Sequence, residues 1–450
     1  MHEVLMFVMT TILILSRTVS AIFYSIICII FYYLFLSNIP VTVFGIDDFL
    51  RYTKEPMLMI ILTKSLFHLF KIKNVFSYAT TLPIVQTDNT YERNLYQKKL
   101  SYLRVALFAL ILMSFMSLFH TGVTGLFGYF RGIVLPSSFF FLLLSIQDSH
   151  LESFVKKLGN MSSIFLVLLL ILAIIHMFVN QDFMIPDAFK NRLDASQAYT
   201  SIIQYGDVKR YQSFFGDPNR LSLVVLLLYW FGWPFRKTLG RILLTLSVVY
   251  ILLISESRSA LILLFLWIAW VFFDKVRSKA AVIFILFSVL VFIAIFWYEF
   301  SSRSGVTINI GRGALWSSVA TYLLNSPFTL LFGNGFNSIG QQGYGYMLIE
   351  GLHVTASDGT SIALNVIDNS YLSLVLFIGL FGTIILLFFY SRLIYLMQPI
   401  TSSKRHIYYY WVIVVLLSVW CFVFDALISF PWTILFPLLI RMYAIKNLRI

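Results

Sequence analysis

Long apolar runs without a charged side chain constrain this chain more than any other feature. Of its 450 residues, 59% are hydrophobic and 12% are charged, and the mean hydropathy is +0.86. These values lie outside the range of soluble globular domains. A helix needs roughly 20 apolar residues to cross a bilayer core about 30 Å thick, and many runs approach that length. The sequence therefore predicts an all-α, polytopic integral membrane protein, with residues 1–450 in one helical bundle.

The apolar runs divide the chain into about 12 to 14 predicted crossings. These lie at residues 4–16, 19–37, 56–70, 101–119, 132–147, 161–179, 218–234, 242–255, 259–273, 280–298, 369–390, 407–424 and 431–445. Residues 120–131 are predicted to form a connecting loop. Two longer loops, residues 180–217 and 299–368, have room for polar chemistry. We see no tandem repeat and no pair of matching broken helices.

The net charge of +13 is distributed as membrane topology requires. Cytoplasmic loops are enriched in lysine and arginine, so the basic clusters are predicted to face the cytoplasm and the charge does not indicate nucleic acid. The clusters are Lys71/Lys73, Arg93/Lys98/Lys99, Lys156/Lys157, Arg236/Lys237/Arg241, Lys275/Arg277/Lys279, Arg392/Lys404/Arg405 and Arg441/Lys446/Arg449. By alternation, the C-terminus is cytoplasmic and the two long loops are extracytoplasmic.

Residues 241–273 are predicted to form a helical hairpin. As one helix they would be about 50 Å long, more than a bilayer needs, and basic residues flank both ends. The tip is Ser255–Ser259, which places Arg258 near the outer membrane surface. An unpaired arginine at that depth costs about 2.5–3.5 kcal/mol. Arg258 is therefore predicted to have a partner, either Glu256 alone or a ligand.

Other arginines are predicted at the same face. Asp217-Pro218-Asn219 is a helix-start signal, and Arg210 and Arg220 bracket it. Each of these two arginines could instead simply reach lipid phosphate. Arg303 and Arg312 follow a later span, and glycines on both sides of Arg312 permit close approach of a ligand.

The loop 299–368 also contains two candidate bases. Asp368 ends the loop, directly before Asn369 and Tyr371, and His353 lies upstream. Asp368 could alternatively cap the following helix, and His353 could be an ordinary loop residue. The Gly333-Asn334-Gly335 stretch is typical of a turn and lacks the residues of a phosphate-binding Walker loop.

No metal-ligand spacing is present, and Cys28 and Cys421 lie in apolar runs, so neither a metal nor a cofactor is predicted. A site at the outer end of a helical bundle with several arginines and one or two bases is suited to binding a lipid-linked diphosphate. Arginine binds pyrophosphate bidentately and stabilises it as a leaving group.

Five motifs resemble, in order, those of the O-antigen polymerase and O-antigen ligase superfamily. They cover the C-terminal half of the chain and comprise residues 215–219, 255–261, 311–316, 327–336 and 368–372 followed by 379–382. The resemblance implies a GT-C-like fold and a metal-independent, inverting glycosyltransferase of the bacterial inner membrane with a periplasmic active site. It implies an undecaprenyl-pyrophosphate-linked glycan as donor, a sugar hydroxyl as acceptor and a chain-length regulator as partner.

The resemblance implies that Arg258 and Arg312 of this chain bind the donor pyrophosphate. Arg210, Arg220, Arg303, Asn369 and Tyr371 are further candidates for substrate binding, and Asp368 or His353 for the general base. The ligase branch has a His-Asn pair where this chain has Asp368-Asn369, which favours a repeat-unit polymerase. A ligase that transfers glycan to lipid A core, and a lipid-linked oligosaccharide flippase, are the alternatives.

Overall fold

The structure is a computed structural model that describes residues 90–134, 136–137, 139–140, 143, 148–178, 204–205, 208–209, 218–255, 257–275, 312–336, 353–355, 361–363, 369–398, 404–423 and 432–445. The described part is mainly helical. Its helices are α1 (Thr90–Tyr129), α2 (Asp148–Phe178), α3 (Pro218–Gly232), α4 (Thr238–Ile254), α5 (Arg258–Lys275), α6 (Arg312–Asn325), α7 (Pro327–Phe332), α8 (Ser370–Met397), α9 (Lys404–Val423) and α10 (Trp432–Tyr443). A π-helical turn (Phe130–Val134) follows α1, and a 3₁₀ turn (Trp233–Phe235) follows α3.

Two short antiparallel hairpins modify the all-α prediction. In the first, β1 (Gln204–Tyr205) pairs with β2 (Val208–Lys209). In the second, β3 (His353–Thr355) pairs with β4 (Ser361–Ala363). Each lies within one of the two long predicted loops. The longer loop also contains α6 and α7, so part of it is folded.

The apolar runs form helices, as predicted. Leu151–Ile175 of α2 and Ser370–Met397 are long and apolar enough to cross a membrane. Shorter apolar helical stretches occur at Val105–Phe115, Leu221–Phe235, Thr238–Ile254, Ser259–Val271 and His406–Phe422. The predicted spans 4–16, 19–37, 56–70 and 280–298 lie outside the described residues.

The predicted hairpin at residues 241–273 is confirmed. Helices α4 and α5 are separate and are joined by a tight turn. At this turn Ser255 N donates to Ile251 O (3.0 Å) and Ser257 N donates to Leu252 O (3.3 Å). The chain therefore reverses where the charge pattern required it.

Hydrogen bonds between helices show which helix ends lie together at each end of the bundle. Near the ends of α3 and α10, Tyr443 Oη donates to Trp230 O (3.0 Å). Tyr408 Oη, near the start of α9, donates to Trp270 O late in α5 (3.2 Å). His406 Nε2, at the start of α9, lies 2.8 Å from Tyr443 O at the end of α10. Helices α3, α5 and α10 therefore end where α9 begins, and we call this the lower end. At the opposite, upper end α3 and α5 begin.

Arg441, which belongs to one of the basic clusters predicted on the cytoplasmic side, is buried. Its side chain is only 5% exposed, and its Nε donates to the carbonyl oxygen of Leu143 (3.2 Å). A buried charged donor is tolerated where such an acceptor meets it. Arg441 thus fixes α10 to a distant part of the chain.

The predicted loop at residues 120–131 is wrong, and two of the described helices are interrupted at a glycine. Helix α1 continues to Tyr129 across Gly122 (φ 67°, ψ −157°), and α8 is interrupted at Gly379 (φ 70°, ψ 176°). Essentially only glycine adopts these backbone angles. Both helices are therefore kinked at a glycine.

The interruption at Gly379 is filled by the chain after α7. A kink removes the helical partners of the preceding carbonyls. Here Asn334 N donates to Leu376 O (2.7 Å) and Gly335 N donates to Phe377 O (3.0 Å). We call this contact between residues 331–335 and 376–379 the glycine joint.

The two backbones in the glycine joint approach too closely for side chains. A Cβ on Gly379 would lie 2.2 Å from Leu331 O. A Cβ on Gly333, whose φ is 81°, would lie 2.5 Å from Phe377 O. Glycine is thus required at both positions by conformation and by space.

We predict that Gly379→Ala destabilises the protein more than Gly122→Ala. Both substitutions impose unfavourable backbone angles, at about 1–3 kcal/mol. Only the Gly379 substitution adds a clash, worth about another 1–3 kcal/mol, because among the described residues no atom outside the adjoining helix backbone lies within 4 Å of a Cβ at Gly122. Unfolding of the purified variants in detergent measures the difference. Equal losses of stability would show that the glycine joint is loosely packed.

Candidate functional site

Two of the predicted motifs meet at the upper end of the bundle. Ser222 in the second turn of α3 and Ser255 at the hairpin tip are buried, with their Oγ atoms 3.2 Å apart. This bond joins the start of α3, which follows the Asp217-Pro218-Asn219 motif, to the turn before Arg258. The structure therefore brings together two segments that are distant in sequence.

Both of these segments carry an arginine in the first turn of a helix. Arg220 is the third residue of α3 and Arg258 is the first residue of α5. Neither helix has an acidic residue in its first turn. Because the N-terminus of a helix is electropositive, arginines there add to the positive potential, and anions are favoured. This end of α3 and α5 is thus suited to an anionic ligand.

Asn369 caps α8 at the upper end. Its side chain is 4% exposed, and its Oδ1 accepts from Tyr371 N (3.0 Å) and Leu372 N (3.1 Å). Asparagine is among the preferred N-cap residues. The alternative that Asp368 caps this helix is therefore wrong. Asn369 was predicted to bind substrate, but its Oδ1 already accepts the two hydrogen bonds of the cap.

Tyr371 joins α8 to α9. Its Oη donates to Ser418 O (3.1 Å), and its ring centroid lies 4.5 Å from that of Phe422. The late part of α9 thus lies beside the start of α8, which places the latter at the upper end. The side chain of Tyr371 has a structural role whether or not it binds substrate.

Arg312 and His353 belong to neighbouring elements. Arg312 is the first residue of α6, and His353 is the first residue of β3. Helix α6 packs against β3, α7 and α8. The backbones of two segments with predicted site residues are therefore adjacent.

Sequence reasoning missed the role of Asn334, which links α6 to α7. Thr329 Oγ1 donates to its Oδ1 (3.0 Å), and its Nδ2 donates to Tyr322 Oη (2.8 Å). Its backbone N–H is part of the glycine joint. An amide residue between two glycines was the available signal, but a turn explained it equally well. Asn334 thereby holds together the helix of Arg312 and the helix capped by Asn369.

The remaining predictions at the site concern parts outside the described structure. Arg210, Arg303 and Asp368 lie outside the described residues, as do the side chains of Arg220, Arg258, Arg312 and His353. Their roles stay predictions. Within the described part of the chain, no group of three or more His, Cys, Asp or Glu side chains could hold a metal ion.

Comparisons with models of protein families, with curated proteins and with solved structures find no match to this chain.

We predict that Asn369→Ala lowers stability by about 1 kcal/mol, because two backbone N–H groups lose their acceptor. Asn369→Ser retains a capping oxygen and should cost clearly less. Chemical denaturation in detergent would measure both variants. Equal costs would show that this cap contributes little to the stability of α8.

Proposed function

We propose that the chain is a polytopic protein of the bacterial inner membrane, with about 12 to 14 spans and a GT-C-like fold, that polymerises lipid-linked glycan repeat units. The observation that carries the proposal is the pair of arginines, Arg220 and Arg258, in first helical turns at one end of the bundle. The order of the five motifs supports it. On this proposal, the upper end is the periplasmic side and the C-terminus is cytoplasmic.

The proposed donor is an undecaprenyl-pyrophosphate-linked chain, and the acceptor is a sugar hydroxyl of the next unit. The hydroxyl oxygen attacks the anomeric carbon, and the bond from that carbon to the pyrophosphate oxygen breaks with inversion. Arg258 and Arg312 stabilise the departing diphosphate, as guanidinium groups bind phosphate bidentately. The hydroxyl proton passes to Asp368 or His353. Arg210, Arg220, Arg303, Asn369 and Tyr371 would help to bind the substrates.

The proposed enzyme works within the lipid bilayer and without nucleic acid or a cofactor. A chain-length regulator is its proposed partner. In the polymerase reaction the growing chain leaves its carrier and joins the non-reducing end of the incoming unit. The product is O-antigen or a capsular polysaccharide.

A flippase is the second candidate, because the kinks at Gly122 and Gly379 are a feature of transporters with discontinuous helices. In transporters such breaks expose backbone groups to the transported ligand. At Gly379 the carbonyls of Leu376 and Phe377 are instead bonded to Asn334 and Gly335. This arrangement favours a structural role for the kink in α8.

The phenotype of a deletion strain separates the three candidate functions. Loss of a polymerase leaves lipopolysaccharide with a single repeat unit, whereas loss of a ligase leaves bare core. Loss of a flippase prevents any repeat unit from reaching the periplasmic face. For an O-antigen product the proposal requires lipopolysaccharide with one unit, and for a capsular product it requires loss of the long polysaccharide.

We predict that Arg258→Ala fails to restore long chains in the deletion strain. Loss of a preorganised charge partner of the leaving group costs roughly a hundredfold or more in rate. Arg258→Lys should restore short ladders, because lysine retains the charge but not the planar fork. Arg392→Ala is the matched control, since Arg392 is exposed and stacks over Phe388 in the last turns of α8. Normal ladders from Arg258→Ala, at wild-type protein levels, would exclude the assigned role.

We also predict that one of two substitutions, Asp368→Asn or His353→Ala, shortens the chains sharply. Removing a general base lowers the rate by about 10²–10⁴-fold. The measurement is the distribution of chain lengths on a gel of lipopolysaccharide from cells with matched expression. Near-normal chain length in both variants would rule out both candidate bases.

A further inference from the structure

A basic surface lies at the lower end, where α2 meets the turn between α3 and α4. Lys156, Lys157 and Lys237 are exposed, and Arg236 is partly exposed. Arg236 donates from Nε to Ser163 Oγ (3.0 Å) and from Nη2 to Asn160 Oδ1 (3.2 Å). These bonds hold the turn against α2. We call Lys156, Lys157, Arg236 and Lys237 the basic patch.

An exposed apolar stripe on α2 continues directly from Lys157. Met161, Ile164 and Leu168 follow it at intervals of four, three and four residues, so they share its face of the helix. All three are exposed, Ile164 at 61%. A lysine at the head of an apolar stripe is the arrangement found where a helix passes through a membrane interface.

Helix α4 repeats this arrangement after Lys237. Leu239, Ile242, Leu243 and Leu246 are exposed, Leu239 at 70%. Helices α2 and α4 pack against each other, and both stripes begin at the basic patch. Together they offer a surface with cationic groups at one end and apolar groups along its length.

The start of α4 adds to the positive potential of the patch. Its N-cap, Lys237, makes no side-chain cap hydrogen bond, and its first turn has no acidic residue. Asp148 and Glu152 lie two turns and one turn before Lys156 on α2 and offset part of the charge. The four basic residues and the helix N-terminus leave an excess of positive charge.

We propose that this surface binds an anionic phospholipid, with the phosphate at the basic patch and the acyl chains along the stripes of α2 and α4. A soluble anion would not use the apolar stripes, whereas a phospholipid matches both parts of the surface. The inference rests on the membrane location in the proposed function but not on the polymerase reaction. The site lies at the end of the bundle opposite Arg258, so it is separate from the proposed donor site.

The experiment is a titration of the purified full-length protein in detergent with phosphatidylglycerol, and in parallel with phosphatidylcholine, with bound lipid counted by native mass spectrometry. The triple variant Lys156→Gln, Lys157→Gln, Lys237→Gln should weaken phosphatidylglycerol binding by roughly tenfold or more. Each basic residue near an anionic lipid surface contributes about fivefold. Binding of phosphatidylcholine should not change.

Two further variants control for charge and folding. Arg392→Gln removes an exposed positive charge on α8 instead and should leave binding unchanged. Lys156→Arg, Lys157→Arg, Lys237→Arg keeps the charge of the patch and should bind phosphatidylglycerol as the wild type does. The proposal is overturned if the glutamine triple variant binds phosphatidylglycerol normally, if Arg392→Gln loses as much binding, or if the arginine triple variant does not bind as the wild type does. The polymer ladder in cells is a separate readout, so failure of the lipid site and failure of the polymerase proposal are distinguishable.

Discussion

The requirement that every buried backbone polar group finds a partner shapes the centre of this structure. Helix α8 is kinked at Gly379, which frees the carbonyls of Leu376 and Phe377, and the N–H groups of Asn334 and Gly335 bond to them. In an apolar environment each unsatisfied group would cost several kcal/mol. The kink is therefore possible only because α7 and the turn that follows it dock there. Through Asn334 the same joint fixes α6, so the folded part of the long loop is fixed to the bundle.

The two ends of the bundle differ in chemistry. At the lower end, aromatic rings close the core around buried Trp267, whose ring centroid lies 5.3 Å from that of Trp233. Arg241 stacks 4.0 Å from the Trp233 ring and donates to the Trp233 carbonyl. There, Arg241 and Arg441 hold neighbouring segments of the chain together. At the upper end, Arg220 and Arg258 lie in helical first turns without acidic neighbours in those turns, which is why the proposed anionic substrate is assigned to that end.

The sequence allowed the long apolar helices and the reversal at Ser255–Ser257 to be predicted, because apolar run length and flanking charge are local signals. Helices α6 and α7 were not predicted, since they lie in the stretch 299–368 that was expected to be a loop. The kinks were not predictable, since a glycine within an apolar run is compatible with a continuous helix. Whether α8 bends at Gly379 depends on Asn334 and Gly335, which are far away in sequence. Likewise the burial of Arg441 depends on Leu143, 298 residues earlier, and Ser222 and Ser255 are 33 residues apart. At the site, the pairing of the motifs around Ser222 and Ser255 is observed, while the catalytic roles rest on chemistry and resemblance.

The most direct test of the account is the reaction of the purified protein, reconstituted with its native lipid-linked repeat unit as the only substrate. The account predicts a ladder of lipid-linked polymers that grows by whole repeat units, with release of undecaprenyl pyrophosphate. Movement of labelled lipid-linked unit across proteoliposomes without any polymer would contradict it and would indicate a transporter.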